Sequence, residues 1–229
     1  MIRYVLNSRL LVAAVAMVLL FSILLWRMFT LQILYGREYQ ENYIDDRKTI
    51  HQLTDELKGK KVLLLAPGKS LSEYEAKIRE AGQADDVVVM AVNFCAQQFS
   101  PDYIFSSNMR RYVKIQNKTG VKCITTSNMK EVKKTDYVVN FASYALKEAE
   151  IIDNSGLMAL KLLMALGVKE VIIAGMDGYS THQENDYYDQ NLQYTFREGA
   201  NLRNELISAE LADIKNAMKL TFITPTQYH

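Results

Sequence analysis

The residues with chemistry to offer gather at short turns, each just after an apolar, β-branched run. Pro67-Gly68-Lys69-Ser70 follow the first run, Asn93 the second, Ser106-Ser107-Asn108 the third and Thr126-Ser127-Asn128 the fourth. Gly175-Met176-Asp177-Gly178 follow a later run, and Pro225-Thr226 the last. Small residues let backbone approach a ligand, and amides and hydroxyls bond to it. A lone aspartate at a strand end can hold a ribose or sugar hydroxyl, or a metal.

The first turn, Ala66-Pro67-Gly68-Lys69-Ser70, tempts towards a phosphate loop. A Walker A motif would need glycine at position 63, where Leu63 stands, and one glycine cannot make GxGxxG. What remains is a tight strand-to-helix turn. Gly68 would admit a ligand to the backbone, the following helix would present N–H groups, and Lys69 would offset phosphate charge. The plainer alternative is a connecting turn with Ser70 or Ser72 as an N-cap.

Asp153-Asn154-Ser155-Gly156 precede a nearly all-apolar stretch. Asn154 or Ser155 suits a helix cap, but Gly156 weakens a first turn, and ligand approach would account for it. Asp177 serves equally as a hydroxyl holder or as part of a solvated Asp-Gly turn. The polar, tyrosine-rich segment 180–191, with Tyr187 and Tyr188, is long enough for a lid. Histidines number three (His51, His182, His229), and no two have metal-ligand spacing, so no metal site is expected. Cys95 and Cys123 lack a CxxC and read as small buried hydrophobes. No cofactor is implied.

These turns need elements to position them. Strands are expected at 62–66, 87–92, 103–106, 121–125, 137–140, 171–174 and 220–224. Helices are expected at 72–81 and 157–166, and a helical stripe runs through 192–218 by way of Phe196, Leu202, Leu206, Ala209, Ile214 and Met218. Apolar strands alternating with helices predict a doubly wound, mostly parallel α/β sheet, Rossmann-like, with ligands at the strands' carboxyl ends.

Ahead of that domain (60–229), residues 37–59 read as an amphipathic linking helix. Tyr39, Tyr43, Ile50, Leu53 and Leu57 share a face, and Gly59 stops it. Residues 1–36 read as a membrane anchor: residues 10–26 are seventeen uncharged positions broken only by Ser22, a helix of roughly 26 Å. No small-x-small cleavage site follows. Arginines on both sides nearly cancel, leaving orientation open. The net charge of +1, from 27 basic and 26 acidic residues, gives no electrostatic footprint for nucleic acid.

Two resemblances follow from the quoted motifs. Asp45-Asp46, KVLLLAPGKSL (61–71), Val92-Asn93-Phe94, DNSGL (153–157), VKEVIIAGMDGY (168–179) and FITP (222–225) resemble a Rossmann-like domain fused behind HMG-CoA-lyase-like aldolases in bacterial polysaccharide-type proteins. The chain is too short for the aldolase barrel, so aldolase activity is not implied. The turn 66–71, Asn93, Asn108, Asn154-Ser155-Gly156 and Gly175-Met176-Asp177 are similar to motifs of bacterial sialyltransferases that use CMP-sialic acid. That resemblance implies a nucleotide pocket of Gly68, Lys69, Ser70, Asn93, Asn108, Asn154, Ser155, Gly156 and Asp177. The base histidine of that family has no counterpart in 190–204, which leaves His182, in the lid, or Asp177 as base.

The expected function is thus a nucleotide- or nucleotide-sugar-binding, glycosyltransferase-like domain in surface-polysaccharide metabolism, membrane-anchored and facing the cytosol, where nucleotide sugars are made. Self-association into a homo-oligomer is compatible with this. The alternative is a non-catalytic sensing or scaffold module, accessory to an aldolase-type enzyme. Metal-dependent hydrolysis has only Asp153 and Asp177 behind it.

Overall fold

A computed structural model describes residues 2–29, 43–117, 119–132, 134–182, 187–189 and 198–228. The chain forms two compact units, Met1–Tyr43 and Ile44–His229.

In the first unit, α1 (Ile2–Phe29) runs for 28 residues and carries Arg27 in its last turn. Its side chains from Leu11 and Val12 through Phe21 to Trp26 are exposed wherever they are described. Among the described residues no helix is long and apolar enough to cross a membrane. Leu10 and Ala13, inside the apolar run, have no described side chain.

The second unit contains one parallel sheet. Its strands are β1 (Lys61–Leu65), β2 (Val87–Val92), β3 (Tyr103–Ser106), β4 (Lys122–Thr126), β5 (Tyr137–Val139), β6 (Glu170–Ala174) and β7 (Lys219–Phe222). They lie in the order β5-β4-β3-β2-β1-β6-β7, and every pair is parallel. β1 is central: Val62 pairs with Val88 on one side and with Val171 on the other. The chain winds outward from β1 to β5, then returns to place β6 against β1. The sequence therefore indicated the fold class correctly, with strand boundaries off by one or two residues.

Helices cover both faces, which is why the strands are apolar at successive positions. Val62, Leu64, Met90, Val92 and Phe105 point to one core with α2 (Arg47–Leu57), α7 (Ser155–Ala165) and α8 (Ala200–Ala217). Leu63, Leu65, Val89, Ala91 and Ile104 point to the other with α3 (Ser70–Glu73), α4 (Glu75–Gly82) and α5 (Met109–Tyr112). A short α6 (Phe141–Tyr144) follows β5. α7 is nearly all apolar because the sheet, α6 and α8 cover most of it, and Leu157, Leu160 and Leu163 are fully buried. Each such leucine contributes about 1.5–3 kcal/mol by leaving water.

Two helical expectations are corrected. The linking helix starts at Arg47, not at 37; residues 43–46 are not helical, and 37–42 lie outside the described residues. It docks on the domain: Leu53 and Leu57 are buried in the core, while Tyr43 is exposed. Glu56, on the same helix, accepts hydrogen bonds from Tyr103 and Tyr137 and pairs with Lys122 Nζ at 2.9 Å, riveting α2 to the sheet. The stripe expected on α8 holds at Ile214 and Met218, which are buried, and at Leu206, which packs against the core, but not at its other described positions. Ala200, Asn204, Ile207, Leu211 and Ile214 are buried, whereas Leu202 and Ala209 are exposed and Phe196 lies outside the described residues.

The two cysteines are half-buried and not joined by a disulfide. Burial, with Asp136 nearby, pushes the Cys123 thiol up to about 12, so it stays an inert thiol.

Candidate functional site

A cavity of about 490 Å³ opens at the carboxyl edge of the sheet, where β1 lies between the outward-winding strands and β6. This is the topological switch point, where backbone turns diverge and leave a crevice. The turns after β1, β2, β3 and β6 reach it, together with the start of α7 and one residue of α8. Of the expected ligand residues, Gly68, Asn93, Asn108, Asn154, Ser155, Gly156 and Asp177 line it.

The first turn is built for the protein's own contacts. Asp177 accepts from the Ser70 backbone N–H at 2.8 Å and from the Ser70 hydroxyl at 2.5 Å. The N–H that was expected to face a ligand is therefore capped from within. A Cβ on Gly68 would lie 2.2 Å from the Gly175 carbonyl oxygen, and one on Gly175 would lie 2.1 Å from that of Ala66. Gly68 thus admits the turn after β6, which its N–H meets at 2.8 Å, and its need for glycine is explained without a ligand. Ser70 is buried beneath this contact, and Lys69 is exposed and does not line the cavity.

A second cluster joins β2, β3 and α7. Asn93 donates from Nδ2 to Ser155 Oγ at 2.7 Å and accepts at Oδ1 from the Ser106 hydroxyl at 2.9 Å. Ser155 and Ser107 share a hydrogen bond at 2.5 Å. Asn93 holds a left-handed backbone, φ 63°, which asparagine tolerates better than most residues. Asn154 caps α7 by accepting from the Leu157 N–H at 3.1 Å, and Asn108 caps α5 by accepting from the Arg110 N–H at 3.0 Å. A Cβ on Gly156 would approach Met176 Cε at 3.0 Å, so its close neighbour is again a side chain of the protein.

Neither expected base is poised. His182 is exposed, does not line the cavity, and donates its backbone N–H to Ser180 Oγ. Asp177 lines the cavity, but its carboxylate is engaged by Ser70.

The sequence reading passed over three cavity arginines: Arg110, Arg111 and Arg203. The first two stand only two and three residues beyond Asn108, just past the strand-end turn and on the short helix α5. Arg203 sits on α8, where apolar patterning carries no signal for a cationic side chain. Tyr179, Tyr187 and Tyr228 also line the cavity. Burial raises the Tyr179 hydroxyl well above its ordinary range, and neighbouring Tyr187 and Tyr228 reinforce this, so it remains a neutral donor. Of the expected lid, Tyr187 and Tyr188 form a strap against the first turn. Tyr187 bridges Gly68 in antiparallel fashion, Tyr188 N–H donates to the Pro67 carbonyl at 3.0 Å, and the Tyr188 ring tilts against Phe94 with centroids 5.5 Å apart.

Among the described residues no group of three or more His, Cys, Asp or Glu side chains is placed to hold a metal ion. No protein-family model matches the chain, and no curated protein matches it.

Proposed function

We propose that residues 60–229 form a nucleotide- or nucleotide-sugar-binding, glycosyltransferase-like domain in surface-polysaccharide metabolism. The observation that carries this is the switch-point cavity with Arg110, Arg111 and Arg203 in its lining. Guanidiniums match the phosphates of a nucleotide in geometry and charge. Glu150 and Asp153, also in the lining, suit ribose or sugar hydroxyls. The cavity's volume falls in the range of small-molecule and cofactor sites.

Residues 10–26 are proposed as a membrane anchor, with the domain on the cytosolic face. Support comes from the seventeen uncharged positions and from the exposed apolar side chains of the 28-residue helix that carries them. The full chain should stay in the membrane pellet after alkaline carbonate washing; release into the supernatant would contradict a spanning helix.

A second reading, a non-catalytic sensing or scaffold module, is favoured by the engagement of Asp177 with Ser70 and by the place of His182 outside the cavity lining. One experiment addresses both. The full chain is screened by thermal shift against nucleotides and nucleotide sugars, and any that bind are tested for turnover. A ligand at 100 times its dissociation constant adds about 2.7 kcal/mol of stability. Binding with sugar transfer supports the transferase, and binding without it supports the module. Stability unmoved by every nucleotide defeats the nucleotide-binding reading.

A further inference from the structure

We infer that Arg111 takes a phosphate of the ligand and that Tyr187 is the positioning residue that holds Arg111 for it. This rests on the nucleotide reading above and assigns within it the wall that separates a phosphorylated ligand from its parent nucleoside.

The Arg111 guanidinium carbon lies 5.2 Å from the centroid of the Tyr187 ring, and both residues line the cavity. A guanidinium above a ring face is attracted by the π electrons and does not use up its N–H donors in that contact. No hydrogen bond or ion pair of the Arg111 side chain occurs among the described residues, so an incoming anion need not displace one. Stacking also removes rotamer freedom that an arginine otherwise loses on binding, and so preorganises the site.

Both partners are held from behind. Next to Arg111, Tyr112 is fully buried, its hydroxyl donating to the Lys134 carbonyl at 2.5 Å, which fixes α5. Tyr187 is fixed through its backbone bridge to Gly68 and through Tyr188, which bonds Pro67 and packs on Phe94. The strap therefore has anchors of its own besides the Tyr187 ring. Removing that ring should release Arg111 and leave the strap docked.

The test is calorimetric titration of the full chain with adenosine, cytidine and uridine, their 5′-diphosphates, and inorganic pyrophosphate. The variants are Arg111→Lys, Tyr187→Leu and Tyr187→Phe. Wild-type protein should bind one diphosphate more tightly than its nucleoside. Tyr187→Leu and Arg111→Lys should each weaken diphosphate binding on the order of tenfold and leave the nucleoside unaffected, and the double variant should lose little more than either alone. Tyr187→Phe, which keeps the π face, should bind like wild type. Undiminished diphosphate affinity in Tyr187→Leu overturns the positioning role. An equal loss for nucleoside and diphosphate does so too, since it marks a general packing defect. Should Tyr187→Leu fold poorly, undiminished affinity in Arg111→Lys is enough to overturn the proposal. Wild-type protein that binds none of these probes overturns the nucleotide reading itself, an outcome distinct from the others.

Discussion

Asp177 and Ser70 are joined by two hydrogen bonds, at 2.8 Å to the backbone N–H and 2.5 Å to the hydroxyl, across 107 positions of sequence. They tie the turn after β6 to the turn after β1 at the centre of the sheet. A carboxylate accepting a backbone N–H at a helix start acts as a cap, worth about 0.5–2 kcal/mol. Asp177→Ala should therefore lower the melting temperature of the domain by several degrees, at about 2–4 °C per kcal/mol for this size. Ser70→Ala, which loses only the hydroxyl bond, should cost less. Thermal denaturation of both variants checks this. A wild-type melting temperature for Asp177→Ala, combined with lost ligand affinity, would return the aspartate to the ligand.

Asn93 and Ser155 should couple energetically. Asn93→Ala removes one partner from each of the Ser155 and Ser106 hydroxyls and forces alanine into a left-handed backbone at φ 63°. Asn93→Gly loses the same side chain without that strain, so it should be more stable than Asn93→Ala by about 1 kcal/mol. A double-mutant cycle of Asn93→Gly with Ser155→Ala should give an interaction energy of about 0.5–3 kcal/mol by denaturant unfolding. Strict additivity would deny the network.

Acid stability should depend on Glu56. Burial works against its charge, but hydrogen bonds from Lys122, Tyr103 and Tyr137 together hold its pKa below the ordinary 4.5. A depressed carboxylate stabilises the fold fully above pH 4.5, and the contribution disappears as pH falls through the lower folded value. Glu56→Gln should thus be less stable than wild type at neutral pH, and the difference should shrink steadily below that point. Melting temperatures measured across the acid range test this. A constant difference would mean that the charge contributes nothing.

The fold was legible in the sequence because parallel strands covered on both faces leave continuous apolar runs, such as Val87–Val92, and turns of small polar residues between them. The position of the cavity followed from the same pattern. The roles of its residues did not follow. Gly68 and Asp177 look the same in sequence whether they face a ligand or each other, and only the pairing of β1 with β6 decides it. Arg111 and Tyr187 lie far apart in the chain and meet only through the strap.

Asn204 exposes the same limit within one helix, and it yields the sharpest prediction. A search for apolar residues on α8 passes over it, yet it stands on the buried face between Ala200 and Ile207. Its side chain accepts from the Tyr179 N–H at 2.9 Å, donates to the Tyr179 carbonyl at 2.8 Å and donates to Gln227 Oε1 at 3.0 Å. These bonds hold the segment after β6 and the C-terminal segment against α8. By apolar patterning alone, Asn204→Leu would complete a hydrophobic stripe and stabilise the helix. The hydrogen bonds require the opposite, because leucine would remove the bonds that Asn204 makes to both backbone groups of Tyr179 in a half-buried place. Each unsatisfied buried polar group costs about 1–3 kcal/mol, and several are lost together here, against what one leucine gains on a face already filled. Asn204→Leu should therefore lower the denaturant midpoint and, by freeing Tyr179 in the cavity lining, weaken ligand binding as well. A midpoint at or above wild type would mean that Tyr179 is held by other contacts and that the stripe, not the amide, sets this face.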